Sequence, residues 1–166
     1  MLLGCSQERE PYDVNAFMVK VSDVIPIFKD FEPQRVETSF ASFIATIKGQ
    51  DLNLQFSIEE GKPGFDWVLL APKNIQDQEK FVSYAQAMGF KVVKKSGKGV
   101  DYYRALVTDQ MPALRVANSD NSHTDLDKNL YLALLCQKIL TDLYGLKPDS
   151  KIGLYAKRVT IGGNKF

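Results

Sequence analysis

Cysteine and histidine are scarce in this chain, with two cysteines and one histidine among 166 residues. That stock cannot fill a Cys₄ or Cys₂His₂ zinc site. It also leaves His123 as the only imidazole for acid–base work near neutral pH. A charge excess is missing too. Lys and Arg number 21 against 20 Asp and Glu, a formal net charge of +1. Nucleic-acid binders usually carry a concentrated basic surface, so no nucleic-acid partner is expected. No run reaches the roughly 18 apolar residues of a membrane span, and no internal repeat or low-complexity segment occurs. What remains is ordinary globular composition, 45% hydrophobic and 25% charged. The length suits one domain that folds without disulfide, metal or cofactor.

Residues 1–12 are polar apart from Met1, Leu2 and Leu3 and read as a flexible leader, with 13–166 as a single domain. Over 13–31 the apolar positions Val14, Phe17, Met18, Val21, Val24, Ile25 and Phe28 recur at three and four, which predicts a helix. Asp13 is placed to cap it, Pro26 should break it near Val24, and Pro33 marks its exit. The stretch 34–48 carries a helical stripe (Val36, Phe40, Phe43, Ile44, Ile47) in a composition that suits a strand. The stripe favours a helix, with Gly49 as its C′ residue.

Beyond Gly49 the period drops to two. Leu52, Leu54, Phe56 and Ile58 alternate with polar residues, predicting a strand with one wet face. A turn over 59–64 leads to a second strand over 65–70. Asn74 then opens a helix with Ile75, Phe81, Val82, Ala85 and Met88 on its buried side, ended by Gly89. Strands at 90–94 and 100–107 form a hairpin across the glycines at 97 and 99. A short extended piece at 112–118 and a loop at 119–123 precede the strongest helix. Thr124 and Asp127 cap that helix, and Leu126, Leu130, Leu134, Ile139, Leu140 and Leu143 form its buried face. Gly145 stops it, and a last strand covers 152–161. The order predicts an α+β domain, a mainly antiparallel sheet with helices packed on one face.

Little of the candidate chemistry withstands a test of spacing. Cys136 lies among Leu134, Leu135 and Gln137 in a helix, a core setting rather than that of a reactive thiolate. Asp120, Ser122 and Thr124 have the spacing of two found in calcium loops. Asp125 and Tyr131 stand where an EF-hand needs glycine and glutamate. Gly97-Lys98-Gly99 lacks the earlier glycine of a phosphate loop, because Val92 stands there. Glu59 and Glu60 point to opposite sides of a strand and cannot act as a glycosidase pair. Lys91, Lys94, Lys95, Lys98 and Arg104 gather near Tyr102 and Tyr103, and a strand pair with one polar face accounts for them. The binding candidates are Phe65, Trp67, Tyr102, Tyr103 and Arg104, aromatics and an arginine on short strands, of which at least one should lie outside the core.

Leu2-Leu3-Gly4-Cys5, followed by a polar stretch, resembles the lipobox of bacterial lipoproteins. The resemblance covers about five residues and implies lipid on Cys5 and a place in the cell envelope. The basic and apolar regions of a signal peptide do not precede it. Two readings stay open, a start upstream of Met1 or a cytoplasmic chain in which the motif is coincidental. The strand and helix order, with Leu143-Tyr144-Gly145-Leu146 closing the last helix, also resembles secretion-chaperone-like peptide-binding folds. The function expected is non-enzymatic binding of another protein or peptide, with membrane contact only through Cys5 and an accessory, scaffolding or toxin-neutralising role. The alternative is a small hydrolase using His123 with Asp120 or Asp125. The oligomeric state is left open.

Overall fold

A computed structural model describes residues 15–29, 32–33, 40–97, 99–109, 111, 125–157, 159–161 and 164–165. Its centre is the alternation over β4 (Gln50–Glu59), where Leu52, Leu54, Phe56 and Ile58 are buried and the residues between them reach the other face. Two hairpins flank this strand. β3 (Phe40–Ile47) enters it through Lys48 and Gly49, and β5 (Lys62–Val68) leaves it through Glu60 and Gly61. In both turns the two central residues have positive φ (49° and 78°, 50° and 74°). That is the conformation whose twist matches the flanking strands.

The helix expected over 34–48 is therefore a strand where the chain is described. Ala41, Phe43, Ala45 and Ile47 are buried at a period of two. The helical stripe arose because Phe40 and Ile44, on the opposite face, are also apolar. The helix expected over 13–31 is corrected in the same way. Asn15–Lys20 is β1, paired from Asn15↔Ala156 to Lys20↔Lys151 with β8 (Lys151–Lys157). A 3₁₀ turn at Val21–Asp23 follows, in which Asp23 Oδ2 accepts from Lys20 N at 2.9 Å. Only then does α1 (Val24–Lys29) begin, with Pro26 in its first turn, where a missing N–H costs nothing.

The seven strands run β1-β8-β3-β4-β5-β7-β6, all antiparallel, with β6 at Lys91–Gly97 and β7 at Val100–Leu106. A three-stranded sheet pairs β9 (Val159–Ile161) with β2 (Glu32–Pro33) and β10 (Asn164–Lys165). The architecture is α+β, with the helices on one face of the large sheet. There α1, α3 (Gln78–Ala87) and α4 (Asp125–Lys138) cover a continuous aromatic row. Phe28 stacks on Phe56 at 3.8 Å, Phe56 meets Phe65 edge-on at 5.3 Å, and Phe81 stacks on Trp67 at 4.8 Å. Each such pair adds about 1 kcal/mol beyond its buried area. In α4 the fully buried positions are Leu132, Ala133, Leu135 and Cys136, and a π-helical turn at Ile139–Leu143 carries Ile139 and Leu140 inward. Leu130 and Leu134, expected on the buried side, are only half-buried.

The helix expected to open at Asn74 is two helices, α2 (Pro72–Gln76) and α3, separated at Asp77. The break changes the phase of the helix, so Ile75 is 47% exposed and Asn74 turns inward instead. The Asn74 amide then stands in for a missing strand. Its Oδ1 accepts from Asn53 N at 2.9 Å and its Nδ2 donates to Asn53 O at 2.8 Å. Trp67 Nε1 donates to Asn74 O at 2.7 Å and fixes the helix that carries it. Asn74→Ala leaves two backbone groups of β4 unpaired and is expected to cost about 3 kcal/mol in urea unfolding. A loss below about 1 kcal/mol would mean that the amide pairing carries no weight.

Candidate functional site

The sheet face opposite the helices is polar at its centre. Cross-strand register sets Ser42, Gln55, Asp66 and Arg104 in one row over β3, β4, β5 and β7. Asp66 and Arg104 are 2% and 1% exposed although no aromatic core covers them. The guanidinium of Arg104 lies against Gly64, where a Cβ would come within 2.3 Å of its Cζ. Every guanidinium nitrogen is engaged. Nη1 donates to Asp66 Oδ1 at 2.7 Å and Ser57 Oγ at 2.8 Å. Nη2 donates to the carbonyls of Ser57 at 3.1 Å and Lys62 at 2.9 Å. Nε faces Glu59 Oε2 at 3.4 Å. Ser57 Oγ also donates to Asp66 Oδ2.

Glu59 completes the cluster by receiving Lys95 Nζ at 2.8 Å and the Tyr102 hydroxyl. Glu59 pairs with Lys62 at one end of β5, and Tyr102 pairs with Val68 at the other. A flat sheet would hold positions 62 and 68 about 20 Å apart. The contact requires the sheet to coil, which folds the tip of the β4–β5 hairpin over the β6–β7 hairpin. Burial pushes the Glu59 carboxyl up, but hydrogen bonds from Lys95 and Tyr102 and the charge of Arg104 outweigh it, so the group ionises more readily than usual. Asp66 shifts the other way because burial outweighs the Arg104 charge. Burial and the Glu59 carboxylate push Tyr102 up to about 12. The charges balance, Arg104 and Lys95 against Glu59 and Asp66.

This geometry sorts the binding candidates. Phe65 and Trp67 are fully buried in the aromatic row and present nothing to a partner, because β5 turns both toward the helices. Arg104 is committed to the network. Tyr102 and Tyr103 face opposite sides of β7 as expected. Tyr102 is held by Glu59, and Tyr103 lies near Gln78 at 3.4 Å with Lys94 Nζ 5.7 Å above its ring. Within the basic–aromatic grouping, Lys95 and Arg104 are thus paired with carboxylates and Lys94 lies over the Tyr103 ring. Cys5, Asp120 and His123 lie outside the described residues, and Asp125 enters only as the first residue of α4. Cys136 is fully buried, and burial raises its thiol pKa well above the usual value.

Two features of the open face escaped the sequence. The first is the network itself, for which the period-two placement of Ser57 and Glu59 on β4 was the available signal. The second is an apolar patch at the β1–β8 end. Met18 is 63% exposed and Tyr155 39%, on neighbouring strands. Gly153 lies between Met18 and Ile44 in the register, and the Tyr155 ring rests over it, 3.1 Å from where a Cβ would stand. On the helix side, Asp77 receives Tyr144 at 2.8 Å and Lys73 at 3.0 Å, tying α2 and α3 to the end of the π turn. Among the described residues no three His, Cys, Asp or Glu side chains gather as a metal site, and no helix is long and apolar enough to cross a membrane.

Arg104→Met leaves Asp66 buried without its cation and is expected to cost about 3–5 kcal/mol. Lys95→Met removes a partly exposed partner and should cost less than about 1 kcal/mol. Chemical denaturation of the two variants checks the order, and equal losses would contradict a buried network centred on Arg104.

No protein-family model matches the chain, and no curated protein or solved structure matches it significantly.

Proposed function

We propose that this domain is a non-enzymatic binding module that docks another polypeptide on the open face of its sheet, at the β1–β8 end. The observation that supports the reading is the exposure of Met18 and Tyr155 together on a face where Tyr102, Glu59, Arg104 and Asp66 are committed to one another. Methionine and tyrosine are residue types that carry interfaces, the first adaptable in shape and the second large with few torsions. The patch rests on a rigid base, because β8 is hydrogen-bonded on both sides, to β1 and β3. If Cys5 carries lipid, as its lipobox-like setting suggests, the module works at the cell envelope in an accessory, scaffolding or toxin-neutralising role.

A photo-crosslinking residue placed at position 18 or 155 in native cells is expected to give one discrete protein adduct. The same residue at the exposed turn position 48 is expected to give none. Absence of an adduct at both patch positions, or equal labelling at 48, would contradict the reading.

A further inference from the structure

On the same face, immediately beyond Met18 and Gly153, β1 and β8 place Lys20 directly opposite Lys151. Both side chains are exposed, and neither makes an ion pair with another described residue. Directly opposed like charges in a strand pair destabilise it, with Cβ atoms about 5 Å apart. Two nearby carboxylates have other partners. Asp23 accepts the backbone N–H of Lys20, and Asp51, two strands from Lys151, accepts from Thr46 Oγ1 at 3.0 Å. The lysine pair thus sits beside the apolar patch without an ion-pair partner among the described residues.

We infer that the docking surface takes an acidic, extended segment of a partner protein, with an apolar side chain against Met18 and the Tyr155 ring that covers Gly153, and a carboxylate between Lys20 and Lys151. The inference rests on the docking reading above. Its spacing follows from the strand. Gly153 and Lys151 are two residues apart on β8, about 7 Å, the repeat of side chains on one face of an extended peptide. A carboxylate at that position relieves the repulsion, and the apolar residue two positions away covers Met18 and Tyr155. A lipid surface fits less well, because membrane-binding clusters gather about 4–8 basic residues and the described side chains at this end of the face offer two.

The probe is a blocked peptide, Ser-Leu-Ser-Glu-Ser, titrated into the isotopically labelled full chain and followed by amide chemical shifts. Shifts are expected at Met18, Lys20, Lys151, Gly153 and Tyr155. The analogue with lysine in place of glutamate should produce none. Lys20→Glu with Lys151→Glu should weaken binding at least about tenfold, and 0.5 M salt should weaken it in the unsubstituted chain (Debye length roughly 4 Å). The inference is overturned if both peptides bind alike, if charge reversal leaves the affinity unchanged, or if vesicles of phosphatidylglycerol shift these residues and the acidic peptide does not. Loss of peptide binding in Met18→Asp separates the two claims. If both peptides bind at the patch and Met18→Asp abolishes both, the docking reading stands and the acidic preference falls. If shifts arise only elsewhere on the chain, both fall.

Discussion

Arg104 reaches across β5 on the face that has no helices and lies where the side chain of any residue but glycine would stand at position 64. Much of the open face depends on that contact. The guanidinium joins β4, β5 and β7 through the Asp66 carboxylate, the Ser57 hydroxyl and two backbone carbonyls, and it faces the Glu59 carboxylate. An arginine presents five donors in a fixed plane. Burying it is tolerable only when those donors find acceptors. Here every nitrogen does, so a residue type that is almost never fully buried becomes part of the frame.

The two faces of the sheet are therefore stabilised by different means. On the helix side, stacked and edge-on rings from Phe28 to Trp67 exclude water over four elements, α1, β4, β5 and α3. On the open side, the Glu59 cluster holds the coil that the aromatic side alone does not specify. The coil also divides the open face. Its β5–β7–β6 part is closed over its own charges, and the β1–β8 part presents Met18, Tyr155, Lys20 and Lys151 to solvent. The proposed docking surface lies in the second of these parts.

Most strands were legible because alternation is a local property. β4 and the β6–β7 hairpin follow from period-two residues and positive-φ glycines. β1 and β3 were not legible, since their pairing partner β8 lies more than a hundred residues away and their apolar residues also satisfy a helical spacing. Phe65 and Trp67 stood among the binding candidates for a related reason. In a strand such as β5, buried on both faces over Gly64 to Trp67, alternation no longer tells inside from outside. The Glu59 end of the network joins residues that meet only after the sheet coils, which no local pattern encodes.

The central claim is that Arg104 packed on Gly64 holds the open face together, and a double-mutant cycle tests it most directly. Gly64→Ala and Arg104→Ala should each destabilise the fold by several kcal/mol, about 3–5 for the arginine. The double variant should lose little more than Arg104→Ala alone, because the added methyl group then has no guanidinium to displace. Gly61→Ala, at a turn with φ of 74° and open space around it, serves as the control for backbone strain alone. Additive losses for Gly64→Ala and Arg104→Ala would contradict the account.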